Sequence, residues 1–368
     1  MLQVIEQKMA LKKQNGFSLI ELLISLAIAG VILTGVVKIA FNAKRSSFDG
    51  EQLSFVQDNA RFVLDQIKRE VRMSGYTGCA SVGSANVSNT IINNMSGFIN
   101  LTESVQGFDG SVSNHPAIYA ADVIANTDSF IVRFADASEE YIVRSHNTFS
   151  ATFTLWSSEE APTGSTMLVT DSSCREVGLF QVTGPGSDST LLSHTADGTL
   201  NCTRVLRATS TNSVSCDMGC AVDSCNGNTE ADFNSGSIIM PFRVYAYYIG
   251  ESAIIDDMPA LKRQVLTASG GSAVTETEEV ATGVEDMQLL YGVDTDADGE
   301  ANQYLTANLI VDWAAVVALR LTLVFRSDRD VYTSDQNVTI KLDGSDYQLS
   351  DDRLMRQVVT STIKIRNN

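Results

Sequence analysis

Residues Phe17 to Phe41 read FSLIELLISLAIAGVILTGVVKIAF, and among charged residues only Glu21 and Lys38 interrupt the apolar run. About 25 residues of helix at ~1.5 Å per residue span roughly 37 Å, enough for a hydrocarbon core of about 30 Å. Glu21 conflicts with that setting. A carboxylate at bilayer depth costs several kcal/mol, so an acid kept there is by default functional and needs a partner. Lys8, Lys12 and Lys13 precede the run. By the bias of basic residues toward the cytoplasmic side, they hold the N-terminus there and send the rest of the chain across. A cleaved secretory signal would have an apolar stretch of about 7–15 residues and a small-x-small cleavage site; this run is longer and leads past Lys38 into a patterned segment.

That segment predicts a continuing helix. Leu53, Val56, Ala60, Val63, Ile67 and Val71 recur at spacings of three and four, one face of an amphipathic helix, while Arg61, Asp65, Lys68, Arg69 and Arg72 form a solvated opposite face. Gly75 and Gly78 in SGYTGC supply stop signals. Beyond Cys79 the period changes to two. SFIVRF (129–134), EYIVRS (140–145), FRVYAYYIG (242–250), LKRQVLT (261–267), VVALRLTLVFRS (316–327) and RQVVTSTIKIR (356–366) read as strands. The expected architecture is α+β: a long helix whose amphipathic half covers a mainly antiparallel sheet. Stretches 81–97, 209–237 and 268–283 read as long polar loops. With 44 acidic against 26 basic residues and a formal charge of -18, the chain argues against a nucleic-acid groove or a polybasic lipid-binding surface.

Three groups of side chains could carry chemistry. Cys79, Cys174, Cys202, Cys216, Cys220 and Cys225 make an even count that favours disulfides on the extracytoplasmic side. The preferred pattern is a long-range Cys79–Cys174 tie with two local bridges among the other four, since the spacing Cys216-x3-Cys220-x4-Cys225 lacks the paired short intervals of a zinc ribbon. In YGVDTDADGEANQYL (291–305), Asp294, Asp296 and Asp298 alternate before Gly299, with Glu300 and Asn302 following. They are a candidate calcium loop, although Leu305 stands where a twelfth-position Glu would complete it. No cofactor is otherwise called for. Nucleophile-elbow, phosphate-loop and H-E-x-x-H motifs are missing from the sequence, and His115, His146 and His194 are scattered, each expected at the surface or satisfied in a loop. Trp156 and Trp313 are expected to pack on the sheet.

A basic leader ending in Gly16, followed by Phe17-Ser18-Leu19-Ile20-Glu21 opening an apolar helix, resembles the type IV prepilins. The resemblance implies cleavage after Gly16 by a prepilin peptidase, methylation of the new N-terminal Phe17, and a Glu21 carboxylate that neutralises the amine of a neighbouring subunit. It divides the chain into a leader (1–16), a transmembrane polymerisation helix (17–41), an amphipathic continuation (42–75) and an extracytoplasmic β-rich head (76–368). The segments REVRMSGYTGC (69–79), MQLLYGVDTDADG (287–299), VALRLTLVFRS (317–327) and DRLMRQVVTSTIKIRN (352–367) resemble the PilW family of pilus assembly proteins. This implies a non-enzymatic minor pilin of the inner membrane, with its head periplasmic and, after assembly, near the pilus tip. Its implied partners are the major pilin, other minor pilins, the inner-membrane assembly machinery and a tip adhesin, but no nucleic acid. The leader motif alone would equally suit a larger, J-like pseudopilin of type II secretion, and a loop-rich head would also suit a displayed binding module.

Overall fold

A computed structural model describes residues 18–80, 86–110, 114–186, 188–206, 214–215, 233–337, 339–342, 345–348 and 352–367. The chain forms two units, which divide between Leu53 and Ser54. One helix, α1, runs from Leu19 to Met73. In the first unit its large apolar side chains, from Leu19 through Ile32 to Phe41, are exposed. By length and composition this stretch can cross a membrane. A helix suits that phase because its backbone polar groups are satisfied internally. The two hydroxyls within the stretch also find acceptors one turn back, Ser25 Oγ on the Glu21 carbonyl at 2.6 Å and Thr34 Oγ1 on that of Gly30 at 2.6 Å.

In the second unit Val56, Ala60, Val63, Ile67 and Val71 are buried against Met287, Leu289, Leu321, Leu323 and Phe325. Each such side chain is worth about 1.5–3 kcal/mol when fully buried, so the amphipathic stripe read from the sequence is what seats the helix. Polar groups fix its rotation. Glu70 accepts from the Tyr247 hydroxyl and pairs with Arg263 at 2.8 Å, while Gln66 Nε2 donates to the Tyr247 oxygen at 3.2 Å. The helix stops at Gly75, whose φ is +76°. A Cβ there would overlap the Asn367 carbonyl, and the Gly75 amide donates to Arg133 O at 2.9 Å. The bridge Cys79–Cys174 then ties the chain after the helix to the turn between strands Thr166–Thr170 and Glu176–Gln181.

The largest sheet is organised around strand Ile238–Glu251. It pairs with Ser129–Ala135 at Phe242 to Tyr247 and with Pro259–Ser269 at Tyr245 to Glu251; at Ile238 to Pro241 its partners are Tyr141–Asn147 and Thr166–Thr170. The change of partners coincides with Pro241, which has no N–H to donate to a ladder. A second, wholly antiparallel sheet has the order Gln303–Leu305, Val284–Val293, Val316–Asp330, Leu354–Lys364. Together these elements give the α+β architecture expected from the sequence.

Three expectations change. Residues 81–97, read as a polar loop, contain the strand Asn86–Asn89, which pairs in parallel with Glu176–Gln181. Residues 268–283, read as a polar loop, are mostly the strand Ser272–Thr282, which pairs with Pro259–Ser269 through a turn at Gly270 and Gly271, both with positive φ. Glu276, Glu278 and Glu279 made it look unstructured, yet charge is what guards an edge strand from further pairing. Trp313 packs edge-on against Tyr291, but Trp156 is exposed on the outer side of Thr152–Glu159 with Arg144 over its ring.

Candidate functional site

Ser18 opens α1 as its cap. The Ser18 carbonyl accepts from Leu22 N at 3.1 Å, its Oγ accepts from Ile20 N at 3.3 Å, and its own amide donates to Glu21 Oε2 at 3.0 Å. This reciprocal arrangement satisfies amide donors that a helix start leaves without partners, and places a carboxylate at the positive end of the helix dipole. Glu21 is exposed, and its contact among the described residues is this amide and not a cation. Gly16 and Phe17 lie outside the described residues. The charge that Glu21 needs in an apolar phase is therefore one its own described segment does not supply.

Of the cysteines, Cys79 and Cys174 are joined, as expected, with their Cα atoms 5.3 Å apart. Cys202 is also in a disulfide, while Cys216, Cys220 and Cys225 lie outside the described residues. The acidic loop brings Asp294, Asp296 and Asp298 together, with one carboxylate oxygen from each within 4.8 Å of the others. Asp294 accepts from the amide of Gly299 at 2.7 Å, the bond that chiefly holds its carboxyl below the usual range, and from that of Ala297 at 2.7 Å. Asn302 is tied to Thr295 N at 2.6 Å and to Asp296 Oδ1 at 3.3 Å, and Glu300 pairs with Lys364 at 2.8 Å. The three aspartates converge; Glu300 points to a lysine instead.

The histidines depart from expectation. His146 and His194 meet Nε2 to Nε2 at 3.0 Å among Phe153, Phe180 and Phe233, and burial together with its neighbour pushes His194 well below the usual imidazole range. His115 Nδ1 lies 2.7 Å from Ser129 Oγ. Both residues are buried. Spacing in sequence could not reveal this, because 48 residues separate His146 from His194.

Residues 11–37 match the family model of the prokaryotic N-terminal methylation motif, and residues 246–367 match that of type IV pilus-assembly protein W. The chain is thus similar to prepilin-type proteins at its start and to type IV pilus-assembly protein W over its last third. The first match contains Gly16, Phe17 and Glu21; the second starts within the central strand and takes in the four-stranded sheet and the acidic loop. Residues between them, including most of the strands around His146 and Trp156, fall in neither match. No curated protein and no solved structure matches the chain.

Proposed function

We propose that the chain is a minor subunit of the type IV pilus that acts in the complex priming assembly and stays at or near the tip. The observation that carries this is the joining of a prepilin-type start to a head of some 300 residues. The shared helix lets any pilin slot beside its neighbours. A head this large, with long stretches between strands, would crowd a repeating shaft, which favours low copy. In this reading the N-terminus is cytoplasmic, the head periplasmic, and Gly16 the last residue of a removed leader. The methylated amine of Phe17 on a neighbouring subunit is the missing partner of Glu21. Removing either member would leave the other charge uncompensated in a low-dielectric setting, so the pair fixes register. Asp294, Asp296 and Asp298 would hold a structural calcium ion in the same head.

Deletion of the gene tests the role. Surface pili and pilus-dependent motility should be lost or sharply reduced, with the major pilin still made and processed. Normal piliation with arrested protein secretion would assign the chain to a secretion pseudopilus, and normal piliation with only adhesion lost would make it a displayed binding module.

A further inference from the structure

The face of α1 turned away from the sheets carries an unusual charge. Asp58, Arg61, Phe62, Asp65, Lys68, Arg69 and Arg72 line one shallow groove along it. Their spacing of three and four puts them on neighbouring turns of one side. Four cations against two carboxylates make this strip positive on a chain with a formal charge of -18. Several basic groups elsewhere in the second unit are matched, Arg243 with Asp136 and Glu139, Lys262 with Asp122, and Arg356 with Glu285 and Asp352, while Arg133 is held by carbonyls and Arg144 and Arg320 lie over aromatic rings. The charged groups of Arg61, Lys68, Arg69 and Arg72 have no such match among the described residues. Nor do Asp58 and Asp65 close onto them, although each lies within one turn of a cation. Phe62, 53% exposed, sits in the middle of the strip.

We infer that this strip docks an acidic protein surface on a neighbouring subunit, an inference that rests on the pilin reading above. An exposed aromatic at the centre with arginines around it has the composition of an interface hot spot. The four unmatched cations call for carboxylates on the other side, and Phe62 calls for an apolar group between them. A polyphosphate fits less well. Asp58 and Asp65 alternate with the cations and would face its charges, and the acidity of the whole chain would repel it at long range. A folded partner has to match the strip only locally. The inward residues of the same turns, Val63, Ile67, Val71 and Glu70, are spent on the head itself, so the outward side is free to act as a second contact for the helix.

The test uses the full-length chain in membranes of piliated cells, treated with a water-soluble carbodiimide that condenses an amine with a carboxylate in direct contact. The expected product is an amide between Lys68 and an Asp or Glu of a different polypeptide. Its yield should fall about tenfold in the triple variant Arg61→Glu, Arg69→Glu, Arg72→Glu, as reversal of opposed interface charges predicts, and several-fold in the milder triple change to Gln. Leader cleavage and the Cys79–Cys174 bridge serve as controls that each variant is processed and folded. Linkage of Lys68 only to Asp65 or to other residues of its own chain would overturn the inference. So would an unchanged yield in both variants, or transfer of a photoreactive group placed at Phe62 to lipid or nucleic acid and not to protein. Failure of the pilin reading would appear separately, as a retained leader.

Discussion

Arg133 is 2% exposed and is held by oxygens without a formal charge: its guanidinium donates to the carbonyls of Gly97, Phe98 and Glu103 and to Gln106 Oε1, each at 2.9 Å. Arg133→Ala removes four donors from a closed site and leaves buried acceptors unpaired. The expected loss is about 3–5 kcal/mol, read as a lower urea midpoint for the full-length chain in detergent. Asp286 makes the opposite case. Burial raises its carboxyl to about 6, and its Oδ2 has no hydrogen-bond partner. A carboxyl raised on folding contributes stability that is complete below its unfolded value near 4 and is lost as pH rises through about 6. Asp286→Asn should therefore remove a decline between about pH 4 and 7. The measurement is the difference between the two proteins' melting temperatures across pH, which cancels His115 and His194; their lowered values weaken the fold as pH falls through the ordinary histidine range. At the acidic loop, calcium should raise the melting temperature in a concentration-dependent way. Asp296→Ala with Asp298→Ala should abolish the rise and leave Asp294 to hold the turn; an equal effect of magnesium, or none, would make the loop a turn alone. The convergence of the three aspartates was legible because they sit at a short, fixed spacing. Arg133 was not, because all seven residues of Ser129–Ala135 are buried and alternation carries no information about such a strand.

At the scale of elements, α1 and its stop were readable from the stripe of Val56, Val63, Ile67 and Val71 and from Gly75. The strand Ser272–Thr282 was not, since its Thr and Glu residues satisfy an edge while resembling a loop. The tie that locks the helix end is the bridge Cys79–Cys174, which closes 95 residues of sequence. Replacing both cysteines by serine should cost about 2–5 kcal/mol, less if the large core compensates. Denaturant unfolding with and without reductant checks this: the double variant should unfold earlier than the oxidised parent, and an identical midpoint would mean that packing alone holds the junction.

For the whole molecule, the sequence showed a membrane-length helix followed by an antiparallel head, but not the strand order. The central strand Ile238–Glu251 serves four partners, and that pairing depends on contacts distant in sequence and on one proline. The head therefore became clear only in three dimensions, whereas the membrane-length helix was readable from residues 17–41 alone. Glu21 holds a helix-start amide in the single chain and requires a positive partner in an apolar phase, and the proposed pairing with a neighbour's N-terminal amine would link that local structure to polymerisation. That link is tested most directly by the intact mass of the protein extracted from membranes. The expected mass shows loss of residues 1–16 and addition of one methyl group at Phe17, with Glu21→Ala processed in the same way but poorly incorporated into filaments. A retained leader, or a mature N-terminus elsewhere, would contradict it.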